Sequence, residues 1–268
     1  MRDCGRSCGW RDARIIAPPA VARVSRGGRL AFGWVLALGC IALFVSLGVW
    51  QLRRMHEKQA MLDAAARVLQ QRKAQPLSLA ADASRARAYD WAAGRGRFIG
   101  APLLLDNQVR EGRVGVRVYR VLRPRSAPGE KYASDVLVDL GWLPVAGDRR
   151  LPDVAPTGNG IVEVRGLLAP PPSAGLAVGA GMLQRDRAWL LMRVDTNEIT
   201  RRLALPAPLA ARVLRLDPAL PIGHARDLDI LPNTLPPERH LGYAVQWFGL
   251  ALTVLVTALV LTLRKPRR

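Results

Sequence analysis

Residues 30–52 read LAFGWVLALGCIALFVSLGVWQL, and residues 241–263 read LGYAVQWFGLALTVLVTALVLTL. Each is an uncharged run of 23 residues, the first between Arg29 and Arg53, the second between His240 and Arg264. At a rise of ~1.5 Å per residue each makes a helix about 34 Å long, enough to cross a hydrocarbon core of ~30 Å. Buried helices of soluble proteins rarely run so far without a charge. The two stretches read as transmembrane helices.

The first run is too long for the ~7–15-residue core of a signal peptide. Arg53, Arg54, Met55 and His56 stand where a small-residue cleavage site would follow. It reads as an uncleaved anchor. Two spans place both ends of the chain on one side of the membrane and the middle on the other. The expected order is a basic tail over 1–29, a transmembrane helix over 30–52, an outer domain over 53–239, a second transmembrane helix over 240–263 and a basic tail over 264–268. The first tail holds 7 Arg against 2 Asp, and the last five residues hold 4 basic groups. Short flanking tails weigh more than a long loop in setting orientation. This predicts a multi-pass membrane protein with cytoplasmic termini and the central domain on the outer side.

The whole chain carries a net charge of +19, yet residues 53–239 hold 29 basic and 19 acidic groups. That is a mixed surface, not a basic stripe, and no nucleic-acid module accompanies it. The predicted partners therefore exclude nucleic acid and include the lipid bilayer. An apolar share of 50% with 23% charged residues excludes wholesale disorder. Residues 53–239 contain no cysteine, so no disulfide forms there; Cys4 and Cys8 lack the further ligands a metal site needs.

The outer domain reads mainly as strands. Met61, Leu62, Ala65, Val68 and Leu69 fall at helical spacing, so residues 56–73 continue the first helix until Pro76 stops it. Short β-rich runs follow at Trp91–Ile99, Leu103–Leu105, Val114–Val118, Asp135–Leu143, Ile161–Leu168, Trp189–Val194 and Val213–Leu216. Asp106-Asn107 reads as a turn, residues 169–184 and 217–238 as loops, and Asp195–Leu203 as a short capped helix. The alternation in Val114–Val118 predicts a half-buried strand. The predicted fold class is membrane α+β. Two transmembrane helices form a helical hairpin flanking a mainly antiparallel β-sheet or small β-barrel with one or two short helices.

Enzyme signatures are lacking: there is no Gly-x-Ser-x-Gly, no phosphate loop and no His-Glu-x-x-His. The reading is that the chain is not an enzyme and has no catalytic residues. One constellation remains. The first span ends at Trp50-Gln51-Leu52, and the second begins at His240, at the same expected membrane depth. His240, Tyr243, Ala244 and Trp247 share a helix face. A neutral imidazole there is a ready ligand for a metal, haem iron included. Arg53, Arg54 and Arg239 can meet carboxylates such as propionates. The same residues also suit a plain membrane boundary, where Trp and Tyr collect and Arg snorkels to headgroups. Gln246 is expected to face the partner helix.

Four stretches carry a resemblance. They are Leu47-Gly48-Val49-Trp50-Gln51-Leu52-Arg53 with Lys58; Leu105-Asp106-Asn107 with Gly112 and Gly115; Val138 to Pro144 around Gly141-Trp142; and Arg239-His240-Leu241 through Tyr243-Ala244 to Gln246-Trp247-Phe248. Together they resemble the Surfeit-locus cytochrome c oxidase assembly family in its bacterial form. The sequence departs from that pattern at Gln108, Leu140 and Val116, where the family commonly has Arg, Arg and Tyr.

The resemblance implies a non-catalytic assembly factor, a chaperone for haem-copper oxidase biogenesis. Such a factor binds haem a transiently and helps insert it into the catalytic subunit. The family's haem-linked histidine corresponds to His240. Trp50 and Gln51 are expected on the other side of that site, with Tyr243, Trp247 and Arg53 beside them. The implied partners are the cytochrome c oxidase catalytic subunit and the haem a synthesis machinery. The rival expectation is a haem-independent scaffold that holds an immature oxidase subunit.

Overall fold

A computed structural model describes residues 26–125, 134–147, 150–154, 158, 160–172, 181–185, 187–231 and 235–264. Most of the two predicted tails, with Cys4 and Cys8, lies outside the described residues, as does the middle of the predicted 169–184 loop. Three α-helices are described: α1 (Arg26–Gln71), α2 (Thr196–Arg202) and α3 (Pro237–Leu263). The chain forms two compact units, one holding the helical segments up to Trp50 and from Tyr243 onward, the other spanning Gln51–Gly242.

In the first unit, α1 and α3 contribute segments long and apolar enough to cross a membrane. They run antiparallel: Trp34 Nε1 donates to Thr262 Oγ1 at 3.1 Å, and the Phe44 and Trp247 rings lie 5.7 Å apart. Gly48 lets the helices close, because a Cβ there would come within 2.7 Å of the Phe248 ring. Ala37, Ala244 and Ala251 are buried, whereas Phe32, Val35, Val245 and Leu263 are exposed. Small residues inside and large apolar ones outside suit a helix pair surrounded by lipid. Gln246 is exposed instead of facing the other helix. It stands about 200° around the helix from buried Ala244, so the inward stripe passes it by.

In the second unit, α1 continues to Gln71, and Arg72 rather than Pro76 ends it. Arg72 takes φ 42°, and its amide still reaches the Val68 carbonyl at 2.8 Å, a left-handed cap. Ala65, Val68 and Leu69 pack with Tyr89, Trp91 and Leu167, as their helical spacing predicts.

Eight strands follow among the described residues: β1 (Gln75–Pro76), β2 (Asp90–Arg110), β3 (Arg113–Pro124), β4 (Val136–Pro144), β5 (Val162–Ala169), β6 (Met182–Arg185), β7 (Ala188–Leu191) and β8 (Val213–Leu216). β2 absorbs two of the expected runs. It bends at Gly100 and again at Asn107, where the register with β3 shifts. Asp106-Asn107 is thus a bulge inside a strand, not a turn; Asp106 Oδ1 accepts from the Asn107 amide at 2.7 Å. The turn falls at Glu111-Gly112, both at positive φ, which matches the twist of a two-residue hairpin.

The strands β3, β4, β8, β5 and β2 pair in that order, and β2 also pairs with β3. The circuit closes into a small barrel. The sheet is mixed but mostly antiparallel: β1–β2, β2–β7 and β4–β8 run parallel. These parallel pairings are short, and the long pairings are antiparallel. β6 overlaps the end of the expected 169–184 loop; exposed Gln184 and Arg185 leave it too short an apolar run to read as a strand.

One face of the ring strands, with Leu104, Val118, Val138, Val164 and Leu214, forms one apolar core. The alternate residues Leu103, Tyr119, Leu137 and Val213 form a second core with Met182 of β6, Leu191 of β7 and Ile199 of α2. β3 is therefore buried on both faces from Gly115 to Leu122, not half-buried. α2 forms as expected, with Asp195 accepting from the Asn197 and Glu198 amides.

Candidate functional site

α3 opens with Pro237, whose fixed φ suits the first helical position and whose missing N–H costs nothing there. Glu238 occupies the first turn, and His240 follows one residue after Arg239. Lys58 Nζ donates to the Leu235 carbonyl and ties the segment before α3 to α1. His240 is buried at 7% exposure. Its Nδ1 lies 2.7 Å from Gln51 Oε1. An amide oxygen only accepts, so Nδ1 carries the proton and the Nε2 lone pair is left open. Nε2 is itself buried and has no hydrogen-bond partner.

Burying a polar atom without a partner is costly, and an ordered water or a ligand atom relieves the cost. An imidazole oriented through one nitrogen and open at the other is the arrangement metal-binding histidines use. The residues present therefore fit a single axial ligation of haem iron. No cluster of three His, Cys, Asp or Glu able to hold a bare metal ion occurs among the described residues.

Of the six predicted site residues, the structure brings His240 and Gln51 together. Arg53 is exposed on α1, and neighbouring Arg54 pairs with Glu57 at 2.8 Å. In the helical unit, Trp50 and Tyr243 are exposed, and Trp247 is half-buried against Phe44.

Two of the quoted motif stretches meet in the barrel. Trp142 Nε1 donates to the Gln108 carbonyl at 2.9 Å. A Cβ at Gly115 would come within 2.4 Å of the Trp142 ring, so the indole lies on bare backbone. Gly141 takes φ 114°, and its amide reaches Asp139 Oδ1 at 3.0 Å. Leu140, one of the departures, is the extra residue of this bulge and points into the first core. Gln108 contributes its backbone oxygen, which any residue supplies. Val116 is fully buried in the first core.

A model of the SURF1 family matches residues 38–252. The chain belongs to the SURF1 family. Comparison with individual curated proteins gives no match. Membership of the SURF1 family implies a role in cytochrome oxidase assembly, and SURF1 members are assembly factors rather than catalysts. The match begins within the first apolar run and ends within the second, so it takes in Gln51, His240 and the whole barrel.

Sequence reasoning missed a buried polar group in the barrel wall. Arg117 Nη1 donates to Asp139 Oδ2 at 2.8 Å, and Arg215 Nε stands 3.7 Å from the same oxygen. Burial pushes the Tyr119 hydroxyl beside them well above its ordinary pKa, and the Asp139 charge adds to the shift. The signal was present as charges within apolar strands, but alternation made them read as solvent-facing.

Proposed function

We propose that this protein takes up haem a as cargo at the periplasmic side of a bacterial inner membrane and helps pass it to the cytochrome c oxidase catalytic subunit. The observation that supports this is the buried, unpartnered Nε2 of His240 beside a Gln51 that fixes the tautomer. His240 would give one axial ligand, which supplies attachment and no catalysis. One ligand from the protein leaves the cargo removable. Gln51 holds the ring in place. Trp50, Tyr243, Trp247 and Arg53 are neighbours of this pair in the chain and complete the proposal as apolar and cationic contacts for a porphyrin and its propionates. The haem a synthesis machinery would be the donor partner. The termini are placed in the cytoplasm and the barrel in the periplasm, on the charge of the tails.

The test is the haem content of the full chain, purified in detergent from cells that make haem a, wild type against His240→Ala. Haem in the wild type and at least a tenfold loss in the variant is expected. Equal haem in both removes His240 from the function. No haem in either, with oxidase still deficient in a deletion strain, replaces carriage by the haem-independent scaffold.

A further inference from the structure

We propose that the barrel domain holds a second site, on the outer face of β3, β4 and β8, for a small ligand made of one carboxylate on an apolar body. The register sets Tyr119 opposite Asp139 and Asp139 opposite Arg215, a row of three neighbouring side chains. Above this row and Arg117 opens a cavity of about 400 Å³. That is within the range of small-molecule sites. His240 and Gln51 do not line it.

Arg117, Asp139 and Arg215 line the floor of the cavity. Asp139 pairs with Arg117 at 2.8 Å, and Asp227, outside the lining, stands 3.8 Å from Arg215. Arg215 is buried at 8% exposure, and its Nε has no hydrogen-bond partner. At 3.7 Å the Asp139 oxygen is too far to accept from it. The Arg215 Nη groups are taken by the Asp229 and Asp227 carbonyls, so the Nε–H is the donor left for one carboxylate oxygen, and leaving it unmet is costly.

The walls set the rest of the ligand. Met61, Pro171, Met192 and Ile230 present apolar surface to the cavity. A bare inorganic anion would leave that surface in contact with water. A neutral apolar molecule would leave Arg215 unmet. One carboxylate attached to a ring or chain answers both.

The experiment is isothermal titration of 2-naphthoate into the full chain in phosphatidylcholine nanodiscs, with empty nanodiscs as the blank. 2-Naphthylmethanol is the neutral control and inorganic phosphate the bare anion. Naphthoate is expected to bind at least tenfold more tightly than either control, and Arg215→Gln to remove that preference. Arg215→Gln also cuts bonds to the loop carbonyls of Asp227 and Asp229 and risks the fold. Met192→Trp therefore stands beside it: this residue lines the cavity at 47% exposure, and an indole there would narrow it from an apolar wall. Loss of naphthoate binding in Met192→Trp supports the site. Naphthoate binding that both variants retain, or that either control equals, overturns it, as does no binding by the wild type.

Discussion

Nδ1 of His240 lies 2.7 Å from Oε1 of Gln51, although 189 residues separate them in the chain. The bond settles which ring nitrogen is free. Replacing Gln51 by Leu removes the acceptor and lets the ring turn or change tautomer. Haem affinity of the full chain is expected to fall about 10–100-fold, the usual effect of losing a hydrogen bond that orients a ligating histidine. Gln51→Glu keeps an acceptor at the same reach and should restore binding. Titration with haemin, followed by the absorbance of the bound form, separates the two variants. Equal affinities in Leu and Glu variants would show that the bond orients nothing.

This pair is legible in the sequence because each residue closes an apolar run. The barrel is legible there only in pieces. The run at Trp91–Ile99 and the run at Leu103–Leu105 are one strand, joined across Gly100, and alternation cannot show that a bulge continues a strand instead of ending it. The burial of Arg117 and Asp139 is hidden for another reason. The loop carrying Asp227 and Asp229 comes in beside Arg117 and Arg215, and a cover supplied from a remote part of the chain leaves no local mark on β3 or β4.

Gly141 gives a sharper test of the barrel. It sits at φ 114°, where a side chain is strained. A Cβ there would also come within 2.7 Å of the His224 carbonyl and 2.8 Å of the Ala225 carbonyl. These backbone atoms are held by the bonds from His224 to Leu140 and from Trp142 to Ala225, so they give way poorly. Gly141→Ala is expected to cost about 2–3 kcal/mol. Thermal melting of the detergent-solubilised chain would show the midpoint several degrees lower. Gly147 lies in open space, so Gly147→Ala is the control and should leave the midpoint unmoved.

The ion pairs should divide by burial. Asp139 is 4% exposed and serves Arg117, Arg215 and the Gly141 amide. Asp139→Asn removes the charge that pairs with buried Arg117 and one of the two that face Arg215, and about 3–5 kcal/mol of stability should go with it. Arg95 and Glu163 also pair across strands, but both side chains are about two-thirds exposed, at 65% and 69%. Glu163→Gln should cost under about 1 kcal/mol and lose even that in high salt. Chemical denaturation of the two variants side by side measures the contrast. Similar losses would mean that the Asp139 cluster is open to water.

The fourth expectation concerns acid. Burial pushes the pKa of His224 below its ordinary value, and the charge of Arg226 adds to the shift. The folded protein thus prefers the neutral ring, while the unfolded chain takes up a proton at the ordinary value of about 6.5. A group whose folded pKa is depressed contributes stability above its unfolded pKa and loses it as pH falls through the folded value. The melting midpoint should therefore drop between about pH 7.5 and pH 5.5. His224→Asn keeps the backbone bond from residue 224 to Leu140 but no longer titrates, so its midpoint should drop less over the same range. The carboxylates do not confuse the reading. Burial raises Asp217, yet the Ala219 amide and Arg165 outweigh it and hold its carboxyl below the usual range, so its own loss comes only at lower pH. A His224→Asn chain as acid-sensitive as the wild type would place the proton elsewhere.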